Sequence, residues 1–212
     1  MYDEKYHKKV HGHRIMIEET YLCESIRSKK LYFSNISENV NVLDYGGGLG
    51  QNVYLLNNAV VFDISDFALS FCKEKGISTV DDINKINDGS MDVVICSHVL
   101  EHVENPYKVL NTIYKKLKSG GKLILILPFE QNGASSFEPD VNQHLFSWNF
   151  RNINNLLMRV GFKIKENKFL YFNMGKIKLS FLGKINMDLY YYITAILGKI
   201  FRKKELYILV EK

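Results

Sequence analysis

The sequence predicts one α/β domain: a doubly wound, seven-stranded, mostly parallel sheet with its last strand antiparallel and helices on both faces. Three observations lead there. Short apolar runs alternate with stretches of helical spacing along most of the chain. The run Asp92-Val93-Val94-Ile95-Cys96 is almost continuously apolar, as a strand covered on both faces requires. A glycine-rich turn, Gly46-Gly47-Gly48-Leu49-Gly50, follows close behind the first apolar run.

Each element has its own warrant. Residues 1–12 are polar and rich in Lys and His, and read as a mobile or lid-like lead-in. Ile15, Ile17, Leu22 and Ile26 fall near helical spacing and predict a helix over Ile15–Phe33. Val40–Leu43 is the first strand, Gln51–Leu56 a short helix and Ala59–Phe62 the second strand. Ser65 is the N-cap of a helix over Asp66–Lys75 that Gly76 stops, and Ile77–Val80 is a short third strand. Asp92–Cys96 is the fourth. Pro106 opens a helix to Leu117, and Ser119-Gly120-Gly121 turns the chain into strand Lys122–Leu127. Residues 129–146 form a loop long enough to suggest a function. Ser147 caps a helix through Val160, Gly161 ends it, and Lys163–Phe172 alternates as a strand. Glu205–Val210 is the last strand, expected to pair antiparallel with the one before it.

The first strand ends in Asp44, and nineteen residues later the second ends in Asp63. A strand, a glycine turn and a following acid build a pocket for a nucleoside with a ribose. A dinucleotide fingerprint G-x-G-x-x-G would place a third glycine at position 51, which is Gln51. The pattern present is Asp44-x-Gly46-x-Gly48-x-Gly50.

That pattern resembles the first motif of the class I S-adenosylmethionine (SAM) dependent methyltransferases. Further segments arrive in the same order: Asp63, Gly89-Ser90-Met91-Asp92-Val93-Val94, Ser97-His98-Val99-Leu100-Glu101-His102-Val103 and Leu117-Lys118-Ser119-Gly120-Gly121. Over about residues 40–130 the chain is similar to small-molecule members of the type 11/12 kind. The resemblance implies a Rossmann-like sheet, SAM as cofactor and S-adenosylhomocysteine as product. It places Asp44, Gly46, Gly47 and Gly48 at the methionine part of the ligand, with Asp44 toward its ammonium. It places Asp63, with Ile64 beside it, at the ribose. Asp81 and Asp82 are both candidates for the adenine end, and Ser97 and His98 for the methionine end. Cys96 reads as a packing residue.

Methyl transfer from a sulfonium needs an aligned nucleophile, and a hydroxyl acceptor often needs a base, for which His titrates in the useful range. His144, closing the loop before the helix, and His98 are the candidate catalytic residues; His102 reads as loop support. The resemblance implies that the loop around His144 covers the carboxyl ends of the strands. No metal is expected, because His98-x-x-x-His102 lacks the H-E-x-x-H order. Tyr6, His7, His11 and His13 are candidates for a lid.

The 212 residues carry a formal charge of +5. Residues 173–204 hold seven basic residues and one acid, against 21 and 22 in the rest, so the basic character belongs to one late segment. Within it, Phe181 to Lys204 reads as an apolar, Tyr-rich helix with a basic end. Three readings stay open: a membrane-surface helix, a cover over the acceptor with cations for an anionic substrate, or a packing helix or homodimer interface. Nucleic acid is not expected, since no RNA-binding module accompanies the patch. Three cysteines without metal-like spacing, a charged start and no long apolar window predict a cytoplasmic protein, in one reading peripheral to the inner membrane. The organisation expected is one domain: an N-terminal helical cap (1–36), a cofactor core (40–130), an acceptor-side loop and helix (131–172), a basic aromatic insertion (173–204) and a final strand (205–212). The function expected is methylation of a small-molecule acceptor, O-methylation of a sugar, nucleotide-linked or glycan or surface-polymer precursor being favoured. The alternatives are a catalytically silent SAM-binding partner and a methyltransferase for a lipid-linked or quinone-like acceptor.

Overall fold

The computed structural model describes residues 4–37, 39–129, 143–171, 182 and 185–212; for residues 6, 10, 11, 13 and 14 it describes the backbone alone. Among these residues seven strands form one sheet. They are β1 (Val42–Tyr45), β2 (Ala59–Phe62), β3 (Ser78–Val80), β4 (Met91–Ser97), β5 (Leu117–Pro128), β6 (Lys163–Tyr171) and β7 (Lys204–Glu211). Their order is β3-β2-β1-β4-β5-β7-β6. Neighbours from β3 through β5 pair parallel, and β7 lies antiparallel between β5 and β6. The seven-stranded sheet with an antiparallel last strand is therefore as the sequence predicts.

The helices are α1 (Glu4–Met16), α2 (Glu18–Tyr32), α3 (Asp66–Glu74), α4 (Pro106–Lys116), α5 (Phe150–Val160) and α6 (Met187–Ile200). One face of the sheet buries Leu110 and Ile113 of α4 with Ile153 and Leu157 of α5. The other buries Tyr32 of α2 with Leu69 and Cys72 of α3. Each such side chain, fully removed from water, contributes roughly 1.5–3 kcal/mol before entropy is counted. Ser65 caps α3 by accepting the Ala68 N–H, and Gly161 ends α5 in the left-handed conformation at φ 113°.

Four local readings need correction. The expected lead-in of residues 1–12 contributes to helix α1, and the helix expected over Ile15–Phe33 proves to be α2. Gln51–Leu56 is not a helix. Its backbone makes successive four-residue turns (Gly50 N–H to Gly47, Val53 to Gly50, Leu56 to Val53), while Asn52 accepts from the Ser28 hydroxyl of α2. Six residues cannot repay helix nucleation once Asn52 and buried Val53 are tied to their neighbours. The cap of α5 is Asn149, in a reciprocal pair with Asn152, because buried Trp148 holds the chain against the core beyond Ser147. Ser119–Gly121 lies inside β5 as an irregularity: Gly120 sits at φ 74° and donates to the Lys212 carbonyl.

The topology positions the site. The parallel strands end at one edge of the sheet, which gathers Asp44, Phe62 and Ser97. Since β7 runs the other way, its first residues meet the same edge, with Glu205 opposite Pro128. Among the described residues no helix is long and apolar enough to cross a membrane.

Candidate active site

A cavity of about 290 Å³ opens at that edge, lined by Tyr45, Gly46, Gly48, Phe62, Asp63 and Ile64 on one side and by His98, Val99, His102 and Val103 on the other, with His7 above. The glycine turn forms its floor. Gly46 stands at φ 69°, and a Cβ there would lie 2.5 Å from Val99 Cγ2. A Cβ on Gly47 would lie 2.6 Å from the Asp44 carboxyl carbon. The turn is held by Gly46 and Gly47 N–H groups donating to the Phe62 carbonyl. The sequence therefore keeps side chains off this turn for space as well as for conformation.

Asp44 is fully buried, with the Asn52 side chain beside its carboxylate. Burial pushes its pKa up to about 7; Asn52 nearby opposes the rise and Asp63 adds to it. A cation beside it would offset the cost of burying that carboxylate. Asp63 differs. Its Oδ2 accepts the Gly48 N–H at 2.8 Å and its Oδ1 the Ser65 N–H at 2.9 Å, which fixes the carboxylate with lone pairs left over. Ile64 is 73% exposed beside it, an apolar surface offered to the cavity. His7 reaches down from α1, its Nε2 3.1 Å from Ser65 Oγ and its ring stacked on Phe67. Of the expected lid residues, His7 is buried at the site, while the side chains of Tyr6, His11 and His13 lie outside the described residues.

The acceptor side is built on the turn after β4. His98, at φ 56°, has Nδ1 3.3 Å from Glu101 Oε1 and Nε2 3.2 Å from Glu205 Oε1. Burial alone would lower its pKa, but the two carboxylates outweigh this and hold it up to about 10. His98 is thus a cation at neutral pH. Glu101 is fully buried, and its carbonyl accepts the Leu145 and Phe146 N–H groups, which pins the segment carrying His144. His144 meets His102 edge to face, with ring centroids 4.8 Å apart. Glu101, His102 and His144 bring their ligand atoms within 4.8 Å of one another, a grouping that sequence spacing did not disclose.

The structure brings Gly46, Gly48, Asp63, Ile64 and His98 to one cavity, with Asp44 and Gly47 buried behind its turn and Ser97 at the end of β4. It does not bring Asp81 or Asp82 there. Asp81 is exposed and paired with Lys85, and Asp82 caps the following turn by accepting from Asn84. His144 does not line the cavity; it stands behind His102, which does. Sequence reasoning missed Glu205 and the aromatic wall of Tyr45 and Phe62, whose rings lie 4.9 Å apart. Cys96 is fully buried and burial raises its thiol pKa well above the ordinary value, which fits packing rather than thiol chemistry.

Comparison with known proteins bears on the family and the fold. A family model described as a methyltransferase domain matches residues 17–167. A ubiquinone biosynthesis O-methyltransferase of Rickettsia bellii is 29% identical over 210 residues, spanning 85% of this chain and 84% of that protein. A Haloferax volcanii methyltransferase, solved with the Trm112 activator, superimposes with a TM-score of 0.70 at 14% identity, over 100% of this chain and 98% of that one. A Burkholderia thailandensis 1,6-didemethyltoxoflavin-N1-methyltransferase with S-adenosylhomocysteine bound gives a TM-score of 0.61 at 14% identity, over 94% and 83% of the two chains. The two structural likenesses concern the fold.

Proposed function

This chain belongs to the class I SAM-dependent methyltransferases, and from that premise we propose that it transfers the methyl group to a hydroxyl of a small, partly apolar acceptor. The observation that carries the reading is the buried carboxylate of Asp44 behind a side-chain-free turn whose Gly46 and Gly48 line one cavity with His102.

The residues fit the cofactor. Asp44 and the Gly46–Gly48 turn would hold its charged methionine end, Asp63 its ribose hydroxyls, and Ile64 with His7 its adenosine. When bound, the cofactor supplies an electrophilic methyl group. The chain does the rest. Asp44 gives up its proton and meets the ligand ammonium, which offsets the cost of its burial. Tyr45, Phe62, Val99 and Val103 exclude water from the cavity. His102, on the cavity wall with the carboxylate of Glu101 behind it, is the residue we assign as base toward an acceptor hydroxyl. His144 positions His102. His98, held cationic between two carboxylates, is the wrong protonation state for a base and orients the rim instead. In this reading 1–36 is the cap, 40–130 the cofactor core and 131–172 the acceptor-side segment, of which residues 1–3, 130–142 and 172 lie outside the described residues.

A quinol-like acceptor is supported by the name of the Rickettsia relative and by the apolar cavity walls. The sugar, nucleotide-linked or glycan acceptor expected from the sequence has only the cations of residues 173–204 in its favour. Labelled SAM incubated with the full chain, polyprenylated catechols and hydroquinones, and nucleotide sugars separates the two. Label on a quinol hydroxyl is expected. Cofactor binding with no transfer to any hydroxyl compound overturns the O-methylation and favours a silent SAM-binding partner.

A further inference from the structure

Helix α6 lies in the basic segment between β6 and β7, and only its inner side is accounted for. Tyr190, Thr194 and Gly198 are buried, at four-residue steps along one face. That face packs toward α2, where Lys30 pairs with Asp188 and lies over the Tyr191 ring. The packing reading of this segment therefore explains half of the helix.

The opposite side is also apolar. Leu189, Tyr192, Ile196 and Ile200 recur at three- and four-residue steps, so they share one face. Their exposures run from 38% at Ile196 to 68% at Tyr192. Beyond the stripe, Phe201 is 55% exposed, and Lys199, Arg202 and Lys203 are exposed around it. The acid of the helix, Asp188, is already paired with Lys30. A water-facing helix would carry charges along this face, and a continuous apolar stripe of this length marks a contact surface.

We propose that the outer face of α6 docks the protein flat on an anionic lipid bilayer, the stripe entering the acyl boundary and Lys199, Arg202 and Lys203 meeting the headgroups. Charge decides between this occupant and a second copy of the chain. A second copy would bring the same cations and no unpaired acid on this face, whereas an anionic surface neutralises them. Topology adds the placement. The basic end of α6 runs directly into β7, whose Glu205 contacts His98 at the cavity rim. Docking thus sets the cavity beside the headgroup layer. Resting on the methyltransferase reading, it selects acceptors whose apolar tail stays in the membrane.

The test uses the full chain and flotation with phosphatidylcholine vesicles, with and without phosphatidylglycerol. Binding is expected to be roughly tenfold stronger with phosphatidylglycerol at low salt and to fall at high salt. Leu189→Glu with Ile196→Glu should abolish it, and Arg202→Gln with Lys203→Gln should remove the preference for the anionic lipid. Both variants should keep the thermal shift given by S-adenosylhomocysteine, which reports the fold and the cofactor site separately. Absence of vesicle binding by the wild type, unchanged binding by the glutamate variant, or a dimer whose formation that variant breaks overturns the proposal. None of these outcomes depends on finding the methyl acceptor.

Discussion

His98 Nε2 stands 3.2 Å from Glu205 Oε1, so charge joins the turn after β4 to the start of β7 at the rim of the cavity. The partners are 107 residues apart in sequence. With Glu101 on the other ring nitrogen, the pair fixes the protonation of a histidine that the sequence offered as a catalytic base.

Replacing Glu205 by Gln should bring the His98 pKa down from about 10 by roughly one unit or more. Histidine ring proton shifts followed by NMR against pH would show it. The folded value lies above the ordinary 6.5, so the pairing stabilises fully below that pH and the stabilisation is lost as pH rises through about 10. Because the His98 side chain is 42% exposed, the difference between wild type and variant near neutrality should be only about 1 kcal/mol. A gap that stays constant to high pH would contradict the assignment.

Asp44→Asn should separate stability from binding. Burial raises the Asp44 pKa from 3.8 to about 7, so the ligand-free fold is most stable below the lower value and loses stability as pH rises toward the upper one. The variant escapes that loss and should melt higher than wild type at pH 8 without ligand. It should also bind S-adenosylhomocysteine about tenfold more weakly or worse. Wild-type affinity should rise with pH up to about 7, and calorimetry should find this slope missing in the variant.

Gly46→Ala should destabilise by about 1–3 kcal/mol through strain at φ 69° and the collision with Val99. Gly89→Ala, at φ 66° with nothing near its Cβ, should cost only the strain, about 1 kcal/mol. Thermal denaturation of both, and of Gly46→Ala with Val99→Ala, isolates the contact.

His102→Gln should lower kcat by about 10²–10⁴-fold while leaving cofactor affinity nearly unchanged. His144→Gln should act less strongly, shifting the pH profile of kcat rather than abolishing turnover. Equal losses in the two variants with no change of profile would remove the distinction between base and positioning residue.

The sheet was legible because its signals are local. Apolar runs, Pro106 and Gly161 each act within a few residues. That the glycine turn and Asp63 stand side by side was legible for the same reason, since Asp44 and the glycines fall within one short stretch and Asp63 follows the next strand. What sequence could not supply was anything set by distant packing. Glu205 reads as one more charge at the end of a basic segment until β7 turns it toward His98. His144 and His102 are assigned their order of approach to the cavity by the backbone bonds from Leu145 and Phe146 to Glu101. Asp81 and Asp82 occupy a plausible place in the chain, but Lys85 and Asn84 capture them locally.

The strand β7 inserts between β5 and β6, both of which precede it in the chain. During synthesis, β5 emerges with one bare edge, and β6 has no neighbour to join until residues 204–211 leave the ribosome. The nascent chain therefore carries an open, strongly apolar edge from the emergence of β5 until residues 204–211 follow. Its final assembly is a single late event, in which one segment zips into a waiting gap and brings Glu205 to His98. The cavity rim gains its contact between Glu205 and His98 in the same step that closes the sheet, whereas the glycine turn, Asp63 and His102 all lie in the part of the chain made before it.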